Sequence, residues 1–162
     1  MGMHRAAMWK ACGVILVSLS LVTITSFDIF AASRHYRGQF ASSVVVDGCT
    51  SAVTICTHGT LTGGLNGEFD FTATSLSPTI DSATTSVLTY TGDIEITSRD
   101  GTLFCKDAGA FQSVDPGAVS SVCTIVGGTG DYTGATGYIQ FVGTFTFADG
   151  GDGEYRAVIN VP

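Results

Sequence analysis

The sequence predicts an all-β chain that closes into an eight-stranded antiparallel β-barrel, and three observations carry that prediction. Beyond residue 33 no stretch sustains the 3.6-residue apolar period of an amphipathic helix. Apolar and polar residues alternate instead, as in EFDFTAT (Glu68–Thr74) and GDIEIT (Gly92–Thr97), which is the period-2 pattern of strands with one wet face. Glycine, serine and threonine recur between such runs. Many short strands without helices make a sandwich or a barrel. Eight of them suit a small barrel whose interior is filled or holds one small ligand.

The N-terminal segment stands apart from the fold. Met1–Lys10 carries His4, Arg5 and Lys10, and Ala11–Ile24 (ACGVILVSLSLVTI) is apolar and uncharged. Small residues follow at Ala31–Ser33. A basic head, a short apolar middle and a small-residue exit read as a secretory signal peptide. A membrane span needs roughly 20 apolar residues. Residues 1–33 are therefore expected to be a signal, and 34–162 a single barrel domain.

Within that domain SSVVVD (Ser42–Asp47) and THGTLTGGL (Thr57–Leu65) are the first strands. In the next, Phe69, Phe71 and Ala73 share one face against Glu68, Asp70, Thr72 and Thr74. Ser75–Thr85 (SLSPTIDSATT) reads as a polar loop. SVLTYTG (Ser86–Gly92) leads to a strand in which Ile94 and Ile96 oppose Asp93 and Glu95. The Asp-Gly pair of SRDGT (Ser98–Thr102) is a hairpin signal before LFC (Leu103–Cys105). SVCTIV (Ser121–Val126) is another strand. The longest, GYIQFVGTFTF (Gly137–Phe147), places Ile139, Phe141, Phe145 and Phe147 together across a gap at Gly143. After the turn Ala148–Gly153, Tyr155, Ala157, Ile159 and Val161 share a face. Gly63, Gly67, Gly92 and Gly143 are read as bulges or bends.

The GGTG of Gly127–Gly130 has the look of a phosphate cradle. The residues that follow, DYTGATGYIQF, alternate and contain two more glycines, so no helix begins there. It is read as a turn at the barrel rim.

From Arg34 onward five Lys or Arg stand against thirteen Asp or Glu, a formal charge of −8. That balance repels phosphate backbones and anionic membranes, so neither nucleic acid nor, after signal removal, a membrane is an expected partner. Four cysteines remain beyond the signal: Cys49, Cys56, Cys105 and Cys123. An even count in an exported chain suggests disulfides, and four cysteines allow three pairings; Cys49–Cys56 with Cys105–Cys123, each closing a local loop, is the expected one. The destination is the exterior or the cell envelope or periplasm.

IVGGTGDYTGATGYIQFVG (Ile125–Gly143) resembles the motif of the allene oxide cyclase-like barrel superfamily, which includes plant dirigent proteins and many secreted bacterial proteins. Gly127, Gly128, Thr129, Gly130, Tyr132 and Gly137 occupy the motif's positions. The resemblance implies an eight-stranded barrel with a hydrophobic lumen, assembled as a dimer or trimer. It also implies steering of reactive intermediates, as in cyclisation or radical coupling, without metal or nucleotide. Plant dirigent proteins carry Ala-Arg-Gly where this chain has Ala135, Thr136 and Gly137, a departure that argues against phenoxy-radical coupling.

Catalytic chemistry has little to rest on. Cys56 and His58 lack a second close pair that would complete a metal site, no G-x-S-x-G is present, and no cofactor is expected. Glu68, Asp70, Asp93 and Glu95 are expected on the wet exterior. Tyr90, Tyr132, Tyr138 and Tyr155 combine an apolar ring with a polar tip; Tyr90, Tyr132 and Tyr155, with Phe141, are the candidate ligand-binding residues. Arg156 is the candidate anchor for an acidic ligand. The expected function is binding of a small hydrophobic molecule in the lumen. The alternatives are a cofactor-independent cyclase-like or dirigent-like enzyme and a disulfide-stapled structural or interaction protein of the envelope. A lumen of about 300 Å³ or more would favour a pocket, and one closed by phenylalanines a scaffold.

Overall fold

The computed structural model describes residues 32–79 and 86–162. The expected signal segment up to residue 31, and positions 80–85 of the expected polar loop, lie outside them.

Eight antiparallel strands run in chain order around a closed barrel: β1 (Ala32–Val44), β2 (Cys56–Gly63), β3 (Gly67–Pro78), β4 (Val87–Ser98), β5 (Gly101–Gln112), β6 (Gly117–Gly128), β7 (Thr136–Thr146) and β8 (Gly150–Val161). Each pairs with its neighbours in sequence, and β8 returns to β1 through a ten-residue register from Ala32↔Val161 to Ala41↔Asp152. Closure leaves no unpaired edge. The barrel and the faces of its strands are as the alternation predicts. Phe69, Ala73, Ile94, Ile96, Ile139, Phe141, Tyr155, Ala157, Ile159 and Val161 are all buried. Exterior charges pair across strands: His58 Nδ1 lies 2.8 Å from Asp70 Oδ1 between β2 and β3, and Lys106 bonds Asp93 between β4 and β5.

Several expectations are corrected. β1 starts ten residues before Ser42, and β3 continues to Pro78 through the start of the expected polar loop. The two segments 86–92 and 92–97 form the single strand β4. The turn of SRDGT is centred on Arg99 and Asp100, while Gly101 opens β5 at φ 137°. Phe147 leaves the strand and stands half exposed in the β7–β8 turn, its ring 5.5 Å from those of Phe111 and Phe145. Register shifts fall at Ala73/Ser75 and Phe104/Cys105; Gly92, opposite Ala73, marks the first, whereas Gly63, Gly67 and Gly143 mark neither.

Inward glycines serve a different purpose, which is to make room for rings. Gly38 faces Tyr155, Gly59 faces Phe69, Gly109 faces Tyr90 and Gly153 faces Phe40, each pair directly opposed across neighbouring strands. A Cβ at any of these glycines would sit 2.7–2.9 Å from an atom of that tyrosine or phenylalanine. Gly92 is covered in the same way by Phe71, whose Cζ lies 2.8 Å from the Cβ position. Aromatic side chains laid across glycines fill a narrow barrel without straining the backbone.

The two ends of the barrel differ. At one end the β6–β7 connection carries a single 3₁₀ turn, Gly130–Tyr132, and Tyr132 folds back into the core at 4 % exposure. Only the second half of GGTG turns: Gly127 and Gly128 end β6, paired with Phe104 and Leu103, and Thr129 and Gly130 lead into the turn with its aromatic plug. Gly130 needs its positive φ of 59°, whereas Gly128 is required for space, because a Cβ there would meet the carbonyls of Thr102 and Tyr132. Tyr155 seals the same half: its hydroxyl accepts the Leu65 N–H at 2.7 Å and donates toward the carbonyls of Leu65 and Thr62. The opposite end bears the β1–β2, β5–β6 and β7–β8 connections and is hollow.

Candidate functional site

The hollow end holds a cavity of about 90 Å³. Its wall is aromatic: Phe71, Tyr90, Phe111 and Phe145 form a chain of rings with centroids 5.6–6.0 Å apart, and Phe40, Phe69 and Phe141 close the floor. Phe71, Tyr90 and Phe145 are only partly buried, which places them at the mouth. Ile55 enters the wall from the β1–β2 loop. That loop is tied down by the Cys49–Cys56 disulfide, by Ser51 Oγ donating to the Ala73 carbonyl at 2.6 Å, and by the Ala73 N–H donating to the Ile55 carbonyl.

One charge interrupts the apolar lining. Asp107 on β5 is 4 % exposed and faces inward between Leu103 and Cys105 below and Phe111 above. Across the sheet it is opposite Gly92 on β4 and Cys123 on β6. The next inward position on its own strand is Gly109, so the rings of Phe71 and Tyr90 lie over the glycines that flank the carboxyl. Its Oδ1 has no hydrogen-bond partner. Burial pushes the carboxyl up to about 6, and the hydroxyls of Ser121 and Tyr90 and the Ala108 backbone work against that shift. Tyr90 is itself raised, first by burial and then by the nearby Asp107 charge, so it stays protonated as a donor. A buried carboxyl with raised proton affinity in an aromatic chamber can accept a hydrogen bond, pair with a cation or exchange a proton.

The structure separates the sequence candidates. Tyr90 and Phe141 line the cavity. Tyr132 and Tyr155 are buried, but they seal the closed half and do not contribute to the wall. Arg156 is on the exterior, directly opposite Arg37 of β1, because it follows the inward Tyr155 by one residue and so takes the other face. It cannot anchor a lumen ligand. Tyr138 is exterior as well, at 46 % exposure. Gly127, Gly128, Thr129 and Gly130 lie at the end opposite the cavity.

Cys105 and Cys123 are buried free thiols. The register explains why they do not bond: Cys105 is opposite Ile125, and Cys123 is opposite Asp107. They are therefore diagonal neighbours, roughly 7–8 Å apart at Cα, beyond the usual reach of a disulfide. Burial raises the Cys123 thiol strongly, and its neighbour Cys105 adds to that. Cys56 is spent in a disulfide and His58 points outward. No cluster of metal-ligating side chains occurs among the described residues.

Asp107 escaped the sequence reading, although a signal for it was present. Leu103, Cys105, Asp107, Gly109 and Phe111 share one parity, and an acidic residue on the apolar parity of a strand marks a buried charge. No family model, curated protein or solved structure matches this chain, so the reading of its site rests on this geometry.

Proposed function

We propose that the barrel binds a small, largely apolar molecule in its lumen, with Asp107 as the polar anchor. The observation that carries the reading is a buried carboxyl, with one oxygen unpartnered, in the lining of an aromatic chamber. Binding sites are typically apolar clefts with a few convergent polar groups. The lumen does not reach the roughly 300 Å³ expected of a pocket and is walled by phenylalanines, so the reading rests on Asp107 and the volume limits the ligand. About 90 Å³ accommodates on the order of six water-sized spheres. A molecule of about five or six non-hydrogen atoms is the largest that this volume suggests.

The disulfide favours an oxidising compartment, in keeping with export behind a signal peptide. No helix among the described residues is long and apolar enough to cross a membrane. One observation favours a second reading, a cofactor-independent proton-transfer enzyme such as a cyclase: a carboxyl near 6 both gives and takes protons at neutral pH.

Methyl NMR tests the binding reading. Ile55, Ile94 and Val119 line the cavity, whereas Val126 is 58 % exposed on the outer face. Titration with 1-butanol should give saturable shifts at the first three methyl groups and none at Val126. Non-saturating or uniformly distributed shifts would refute a lumen site. Under the enzyme reading, Asp107→Asn abolishes turnover while those shifts persist.

A further inference from the structure

We infer that the lumen ligand is a small protonated amine, held by an N–H donated to the Asp107 carboxyl and by the faces of the surrounding rings. This rests on the lumen-binding reading above and names its ligand class. Three features of the chamber select a cation over a neutral molecule.

The first is the missing partner. Oδ1 of Asp107 is buried and accepts no hydrogen bond, and a bare carboxylate oxygen in an apolar site calls for a donor. The second is the absence of an internal counter-charge. Among the described residues no Lys, Arg or His lines the cavity, so none of them neutralises this carboxylate. The third is the nature of the wall. Phe71 and Tyr90 overlie the flanking glycines, and Phe111 and Phe145 continue the ring of aromatics. Aromatic faces are negative and attract cations, most strongly where water is excluded. A carboxylate inside an aromatic cage therefore presents two attractions to an ammonium group and only one to an alcohol.

The groups around Asp107 supply neutral donors, the Ser121 and Tyr90 hydroxyls and the Ala108 backbone, but no positive charge. Tyr90 faces it from β4, Cys123 and Ser121 from β6, and Cys105 lies next to it on β5. Tyr90 and Cys123 are held in their neutral forms, and apart from Tyr90 and Asp107 no residue lining the cavity titrates. Recognition is then governed by one ionisation. The carboxyl changes charge near pH 6, so an amine should be held at neutral pH and released on acidification.

The test compares n-butylammonium with 1-butanol, which have the same number of non-hydrogen atoms and differ in charge. With the full chain near pH 7.5 at fixed ionic strength, n-butylammonium is expected to bind at least about tenfold more tightly, as read from the cavity methyl shifts. The preference should shrink to within about twofold near pH 5 in the unmodified protein, and to the same level in Asp107→Asn near pH 7.5. The pH arm needs no mutation, so it stands even if the variant folds poorly. Equal or tighter binding of 1-butanol near pH 7.5 would overturn the amine assignment and leave lumen binding intact. Failure of both probes to shift the cavity methyls would overturn lumen binding as well.

Discussion

At the scale of single residues, Asp107 is a destabilising group that the fold tolerates. Its folded value of about 6 against an ordinary 3.8 means that the native state holds the proton more tightly than the unfolded chain. The native state is therefore favoured at low pH, and that advantage is lost as pH rises from about 4 through about 6. A shift of about two units corresponds to roughly 3 kcal/mol, with little screening at 4 % exposure. Asp107→Asn should accordingly raise the unfolding free energy by about 2 kcal/mol at pH 8 and leave it nearly unchanged at pH 4, as measured by urea denaturation. An unchanged or lower stability at pH 8 would mean that the carboxylate is already solvated or paired in the native state. Such a site, costly to stability, is what selection for binding retains. Its legibility in sequence was limited by strand length. Taking LFC as a strand ends it at Cys105, two residues short of Asp107, whereas β5 runs to Gln112.

At the scale of elements, the β1–β2 loop matters most to the site. Residues 45–55 bring Ile55 into the cavity wall, and the Cys49–Cys56 bridge closes them into a short ring. In the chain-entropy model a bridge with a sequence separation of 7 contributes about 2 kcal/mol. The double substitution Cys49→Ser, Cys56→Ser should lower the unfolding free energy by about that amount and weaken 1-butanol binding several-fold, because Ile55 loses its anchor. Stability lost without any change in binding would show that the Ser51–Ala73 hydrogen bonds alone hold the wall. Most elements were readable because a strand with one wet face writes its period directly into the sequence; β8, with Tyr155, Ala157, Ile159 and Val161 inward, is the clearest. β1 was half hidden, since His35, Arg37 and Gln39 fill one face and the inward Gly38 leaves a gap between Tyr36 and Phe40. Register is harder to read than strand content. The register running from Phe111↔Val119 to Cys105↔Ile125 leaves Cys105 diagonal to Cys123, and nothing in LFC or SVCTIV announces it.

At the scale of the whole molecule, the barrel is two chambers sharing one wall of strands. The closed chamber is packed by Leu61, Ile96, Leu103, Ile139 and Ile159 and sealed by Tyr155 and Tyr132. The other is lined by rings around open volume. A packed interior tolerates added volume poorly, whereas an apolar cavity gains from it. Two alanines of equal burial distinguish these cases, Ala157 at 2 % and Ala73 at 1 % exposure. Ala157 lies directly between Ile139 on β7 and Tyr36 on β1, so Ala157→Val should cost about 1–3 kcal/mol. Ala73 faces the cavity, so Ala73→Val should be neutral or stabilising by up to about 1 kcal/mol while reducing 1-butanol binding by occupying its space. Urea denaturation of both variants, paired with the methyl titration, reads the two effects together. Opposite signs would establish that one end of the barrel is built for stability and the other for a guest. Equal destabilisation would mean that the aromatic chamber is already collapsed in solution, leaving Asp107 as a buried charge without a ligand to serve.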